Sequence, residues 1–247
     1  MLDRFHAAEK ECLGYENYVN CDDEHYLQTL EKLKRLVIDI QREHLFSDNE
    51  GIKEIETDNL RLLLVPYYEA DTLYRVMDDR TVRVKLAQTF YLEYLKLMSH
   101  YGLLDKDQKA KWKLMAKEAY TLADAEEEQQ ALQTYGPANF DHFMNRNDKI
   151  AMFKHKKSVE AQLDLLREYK DEDTKRNFYM CQLNYSVLRS FEQLALIFQE
   201  LKLLEHQSTL PRDENNRPFQ DNSGYLKKPL KVVQIPKRED QPYLLSP

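Results

Sequence analysis

Glycine is nearly missing from this sequence: five occur in 247 residues, about 2% against the ~7% of ordinary proteins. Positive-φ turns, bulges and phosphate-cradling loops lean on glycine, so few of them are expected. Proline is scarce where it would break structure. Six of the eight prolines lie between residues 211 and 247, leaving two prolines and four glycines in residues 1 to 210. So few breakers over that length predict long helices. Long hydrophobic runs are missing as well. The longest aliphatic stretch, Leu62 to Val65, is far short of the roughly 20 residues that cross a bilayer, and no signal peptide is read at the start. The three cysteines, Cys12, Cys21 and Cys181, share no close spacing. Neither a disulfide framework nor a Cys-x-x-Cys metal site is expected, and a reduced cytosolic or nuclear setting is the simple inference. A net charge of −7 argues against a general nucleic-acid footprint, which is basic.

What is present is helical periodicity. Leu2, Phe5, Ala8 and Cys12 share one face of a first helix over about residues 2 to 19. Tyr26, Leu30, Leu33, Val37, Ile40 and His44 recur at spacings of four and three in a second, from about Asp22 to Phe46. A third starts near Thr57 or Asp58, either able to cap it, and holds Pro66 inside its pattern. Proline removes a backbone hydrogen bond, so a kink near Leu62 is predicted. A fourth covers about Thr81 to Tyr101 with Val84, Phe90, Tyr94, Leu97 and Tyr101 inward, and Gly102 closes it. A fifth runs from Asp105 to about Tyr135 with Trp112, Met115, Ala119 and Leu122 on its buried side. Gly136-Pro137 breaks the chain before a Lys- and Arg-rich helix over about residues 139 to 170. A last helix, about Glu172 to His206, carries the stripe Phe178, Cys181, Tyr185, Leu188, Phe191, Leu194, Ile197 and Leu201. The expectation is an all-α chain of about seven helices over residues 1 to 207, with 208 to 247 a proline-rich, irregular tail.

Catalytic and metal-binding patterns are missing too. A di-iron bundle needs paired Glu-x-x-His motifs, and the sequence has none. His-Glu-x-x-His, the phosphate-binding loop, the dinucleotide glycine motif and Gly-x-Ser-x-Gly do not occur either. The sixteen tyrosines and ten phenylalanines sit mostly at core spacing rather than as base-stacking platforms. No catalytic or metal-binding residue is assigned.

One surface is unusual. At roughly 100° per residue, Arg146, Lys149, Phe153, Lys156 and Lys157 fall within one arc of about 100°, and Met144, Met152, Val159, Leu163 and Leu166 on another side. A solvated cationic face is the plain reading. Phe153 among the cations gives it instead the mixed character of an interface anchor with a charged rim, able to focus a positive field on an acidic partner.

These residues carry a resemblance. Arg146-Asn147-Asp148-Lys149-Ile150, then Phe153 and Lys156-Lys157, resembles the Arg-x-x-Lys-Ile-x-x-(Tyr/Phe) stretch of the type 2A phosphatase-associated proteins. These are the TOR-pathway regulators of the alpha-4, or immunoglobulin-binding protein 1, type. LRLLLVPYYEADTL (60 to 73) is similar to that family's Leu-Leu-Val-Pro helix, and TFYLEYLKLMSHYGLLD (89 to 105) to the helix after it. Arg176-Asn177-Phe178-Tyr179 and KKPLKVVQIP also match in pattern. The resemblance implies an antiparallel, tetratricopeptide- or 14-3-3-like helical array. It also implies a regulatory adaptor, not an enzyme, that binds phosphatase catalytic subunits and holds them inactive and protected. Arg146 and Lys149 stand in the positions of the contact pair, with Phe153, Lys156 and Lys157 beside them. A monomer without cofactor, nucleic-acid partner or membrane anchor is expected, cytosolic or also nuclear. The competing reading is a helical-repeat scaffold that binds peptides or phosphopeptides of another partner. A carboxylate-metal enzyme is disfavoured by the missing ligand motif.

Overall fold

The computed structural model describes residues 1–15, 21–47, 49–120, 146–167 and 171–209, and among them the secondary structure is all helical. Helix α1 is Leu2–Gly14 and α2 is Asp23–Arg42. An interrupted run follows: α3 (Thr57–Leu60), a 3-10 turn (Arg61–Leu64) and α4 (Val65–Arg75). Then come α5 (Arg80–His100), α6 (Lys106–Tyr120), α7 (Arg146–Leu166) and α8 (Glu172–Thr209). Counted with that run as one, seven helices lie among the described residues, the all-α array read from the sequence. Two compact units divide the chain, Met1–Glu205 and His206–Pro247. The first holds every packing contact described below. Of the second, the described residues are the last turn of α8; the remainder of the expected tail lies outside the described residues.

Pro66 breaks the helix as the sequence predicts. Pro66 lies at the start of α4, where a missing N–H costs least, and the 3-10 turn absorbs the discontinuity ahead of it. Two ends differ from expectation. Helix α2 stops at Arg42 rather than near Phe46, because His44 turns left-handed (φ 49°). The Leu45 amide then donates to the Ile40 carbonyl at 3.3 Å and His44 N–H to the Gln41 carbonyl at 3.3 Å, a paired closure of orphan carbonyls usually built on glycine. Gly102 (φ 72°) makes the same closure after α5, with Leu103 N–H on the Met98 carbonyl at 2.9 Å. At the start of α3 the cap position is Glu56, not Thr57 or Asp58.

The core gathers around α4, in which Val65 and every residue from Tyr67 to Leu73 is buried. Helices α1, α2 and α5 pack on it. Helix α5 buries Val84, Ala87, Tyr91, Leu92, Tyr94, Leu95 and Met98. Phe90 and Leu97, expected inward, are half-buried, because the buried arc of α5 is centred near Val84, Tyr91 and Leu95. Helix α8 runs along this layer with Leu183, Val187, Phe191, Leu194 and Ile197 inward, and Tyr94 donates its hydroxyl to the Leu183 carbonyl at 3.2 Å. On α6, Met115 is buried and Trp112 half-buried, its indole N–H on the Leu92 carbonyl at 3.2 Å. Leu122 and the rest of the expected fifth helix lie outside the described residues.

Polar ties lock this layer across long sequence separations. Glu9 on α1 accepts from Arg61 (2.7 Å), Tyr68 (3.1 Å) and Gln182 (2.8 Å). Arg176 at the start of α8 donates to the carbonyls of Ile55 (2.9 Å) and Ile52 (2.7 Å), fixing the loop before α3. Glu200 takes a bidentate pair from Arg80 (2.5 and 2.8 Å) and the Tyr74 hydroxyl (2.9 Å). Glu69 is different. Burial pushes its carboxyl from 4.5 up to about 7, with the Lys34 charge opposing the shift.

Gly102→Ala will lower stability by about 1 kcal/mol, because an L side chain disfavours the left-handed region. His44→Gly will raise it by about 0.5–1 kcal/mol for the same reason, both read by urea unfolding. For Glu69 the folded acid holds its proton above the pH at which the unfolded acid releases it. Stability from this group is therefore complete below about 4.5 and declines as pH rises to about 7. Glu69→Gln should stabilise the protein at pH 8 by about 1–3 kcal/mol and leave it nearly unchanged at pH 4.

Candidate functional site

The basic helix of the sequence is α7, Arg146–Leu166. It has neither glycine nor proline and carries four lysines, three leucines and two alanines, all good helix formers. Its apolar side buries Val159 and Leu163, with Met152 half-buried, against α8. There Leu188 is buried, and Phe178, Cys181 and Tyr185 pack around it. Three fully buried apolar residues form this satellite core. Polar contacts extend it. The Cys181 thiol lies 3.7 Å from the Val159 carbonyl, and burial raises its pKa. Tyr185 donates its hydroxyl to Glu160 at 3.3 Å.

The outward side of α7 exposes Lys149, Ile150, Phe153, Lys154, His155 and Lys157. Phe153 is 55% exposed, far from a core position. Lys157 reaches over its ring, with the ammonium 5.9 Å from the centroid, and also pairs with Glu160 at 2.5 Å. That bond holds the Glu160 carboxyl below its ordinary range. Arg146 begins the helix. An aromatic ring is thus held between cations on a solvent-facing surface, an arrangement suited to docking a protein that offers carboxylates around an apolar patch.

Lys156 does not join that surface. It crosses the seam to α8 and donates to both carboxylate oxygens of Glu192, at 2.9 and 2.8 Å, with its side chain only 14% exposed. Arg189 approaches the same carboxylate at 3.5 Å. The reason lies in the helical angles: Lys156 falls roughly 20° from Leu163 at 100° per residue, so it borders the buried stripe. Lys154 is exposed too, but at roughly 100° per residue it falls about 60° beyond Lys157, outside the arc that holds Arg146, Lys149 and Phe153. Glu192 was invisible as a site residue. Its only sequence signal is a carboxylate one turn beyond Leu188, interrupting an apolar periodicity.

An open cleft of about 760 Å³ lies between α7 and the α1–α4 layer, lined by Glu9, Arg61, Tyr67, Asp71, Glu160 and Tyr185 among others. Its carboxylates are engaged. Glu9 is held by three donors, Asp71 by Arg75 (3.1 Å) and the Tyr91 hydroxyl (3.3 Å), and Glu160 by Lys157. Among the described residues, no group of three or more His, Cys, Asp or Glu side chains could hold a metal ion.

The TAP42-like family matches residues 5–245. The chain belongs to that family. Its relatives within and around the TAP42-like group include an uncharacterized fission yeast protein (Schizosaccharomyces pombe), 27% identical over 191 residues, covering 75% of this chain and 49% of the relative. The human immunoglobulin-binding protein 1 family member C is 24% identical over 211 residues, covering 82% and 57%. The PP2A regulatory subunit TAP46 of Nicotiana tabacum is 31% identical over 128 residues, covering 51% and 26%. The TAP42-like chain thus spans between about a quarter and three-fifths of the length of these relatives. A solved structure described as "The Structure of Tap42 Alpha4 Subunit" superposes with a TM-score of 0.62 at 19% identity, over 83% of this chain and 97% of that one. That likeness shows the fold.

The Lys156–Glu192 pair gives a test of the seam. Glu192→Ala strands a largely buried ammonium and should destabilise the protein by about 1–2 kcal/mol. Lys154→Ala, on the exposed side, should stay within about 0.5 kcal/mol of wild type. Thermal unfolding of the two variants side by side checks the difference.

Proposed function

We propose that this chain is a regulatory adaptor that binds the catalytic subunits of type 2A-like Ser/Thr protein phosphatases through the outward face of α7. One observation carries the reading. A family whose plant members are named PP2A regulatory subunits here presents Lys149, Phe153 and Lys157 on a solvent-facing helix, with Arg146 opening it. The resemblance of the Arg146–Ile150 stretch to the family's motif supports reading Arg146 and Lys149 as the contact pair. Lys156, tied to Glu192, serves the surface by holding α7 in place. The protein acts by binding rather than by chemistry: it keeps the catalytic subunit inactive and sheltered from degradation, in the cytosol or nucleus, under TOR signalling, and does so as a monomer.

The physics of such a contact is a local positive field on an acidic protein. Exposed cations around an aromatic anchor draw in an acidic partner surface. Once the partner is seated, those charges are desolvated and paired, and truncating one member costs about 2–5 kcal/mol. Each ~1.4 kcal/mol is tenfold in affinity.

Arg146→Glu combined with Lys149→Glu should therefore weaken binding to a purified type 2A catalytic subunit at least a hundredfold, measured by calorimetry. Circular dichroism and thermal unfolding should remain those of wild type. Lys154→Glu should be much milder. Wild-type affinity in a correctly folded double variant would refute the reading.

A further inference from the structure

Helix α8 meets α7 through Cys181, Tyr185, Leu188 and Glu192, which touch Val159 and Gln162, Glu160, the Val159–Leu163 cluster and Lys156 in turn. These positions recur at spacings of four, three and four, one stripe of a helix. The same rhythm continued gives Leu196, Gln199 and Leu203. All seven fall within an arc of roughly 80° at 100° per residue. Yet Leu196 is 51% exposed and Leu203 70% exposed. The face of α8 that meets α7 therefore continues as an open apolar ledge.

The register places that ledge beside the basic face. Contacts run antiparallel: from Gln162 to Lys156 on α7, the partners move from Cys181 to Glu192 on α8. One further turn brings Leu196 level with Met152 and Phe153, and two more bring Leu203 level with the start of α7. The flank is shared too. Leu196 and Leu203 lie within roughly 20° of Tyr185 on α8, and Phe153 within roughly 20° of Glu160 on α7. Tyr185 and Glu160 are hydrogen-bonded, so Leu196, Leu203 and Phe153 emerge on one side of the seam.

We infer that Leu196 and Leu203 form the apolar half of the partner-binding surface, and that its occupant is the phosphatase catalytic subunit, presenting an apolar patch rimmed with carboxylates. This rests on the proposed function. Charge selects the occupant: exposed Lys149 and Lys157 border the ledge, so an acidic surface complements it. A second copy of this chain related by two-fold symmetry would set the same cations against themselves.

The test uses the full chain and purified type 2A catalytic subunit in titration calorimetry. Leu196→Asp with Leu203→Asp should weaken binding at least tenfold while the unfolding temperature stays at the wild-type value; Leu196→Ala with Leu203→Ala should weaken it in the same direction. Ile38→Asp, at an exposed apolar position on α2, should bind like wild type. If the leucine variants bind normally while Arg146→Glu/Lys149→Glu does not, the ledge is not part of the interface and the phosphatase reading survives. Should the wild-type chain not bind the subunit at all, both fall. A wild-type dimer that the leucine variants dissociate would make a second copy the occupant and overturn the inference. A clear drop in unfolding temperature would do the same, by showing that the chain covers the ledge itself.

Discussion

A helix buried on every side must find a partner for each polar group it carries, and α4 carries several. Its neighbours are placed to supply them. Tyr68 reaches Glu9 on α1, Thr72 meets the Cys12 thiol at 3.5 Å, Asp71 takes the Tyr91 hydroxyl of α5, and Tyr74 reaches Glu200 on α8. Together these ties reach three different helices, so satisfying α4 fixes the registers of α1, α5 and α8 together. Apolar packing alone tolerates sliding; a set of directed bonds to one buried helix does not. Glu69 lies outside this scheme, and its raised pKa is the consequence.

Much of this could be read from residues, and the failures have physical causes. Gly102 ends α5 as expected because glycine advertises the left-handed position. His44 does the same for α2 without advertising it: a histidine at helical spacing with Tyr26 and Ile40 reads as one more residue of the stripe. Pro66 announced its break. The burial of Glu69 and Asp71 was hidden, since an apolar stripe marks one face and α4 has no solvent face to contrast with it. Lys156 was misplaced onto the basic surface because a position at the edge of an arc turns on a few degrees of helix rotation. Leu196 and Leu203 escaped notice for the opposite reason. In a helix as apolar as α8, two more leucines look like core.

The candidate surface sits at the periphery of the fold. The main core joins α1 to α6 with α8, whereas α7 attaches mainly through α8 and a small cluster of its own, with Met152 touching the main core. Arg176, part of a family-like motif, holds the loop before α3 rather than facing solvent. Motif residues in this chain therefore divide into those that build the frame and those displayed on it, and burial separates the two.

That peripheral attachment carries a thermodynamic consequence. A helix held by Val159, Leu163, Leu188 and one bridging ion pair has its own opening equilibrium, with a lower free energy than the main core requires. A partner that grips α7 only in its docked position sees an affinity scaled by the docked fraction. Strengthening the seam then tightens binding without altering any atom the partner touches. Under the proposed function, residues such as Leu188 and Glu192 would act as a volume control on recognition, set from behind the recognising face.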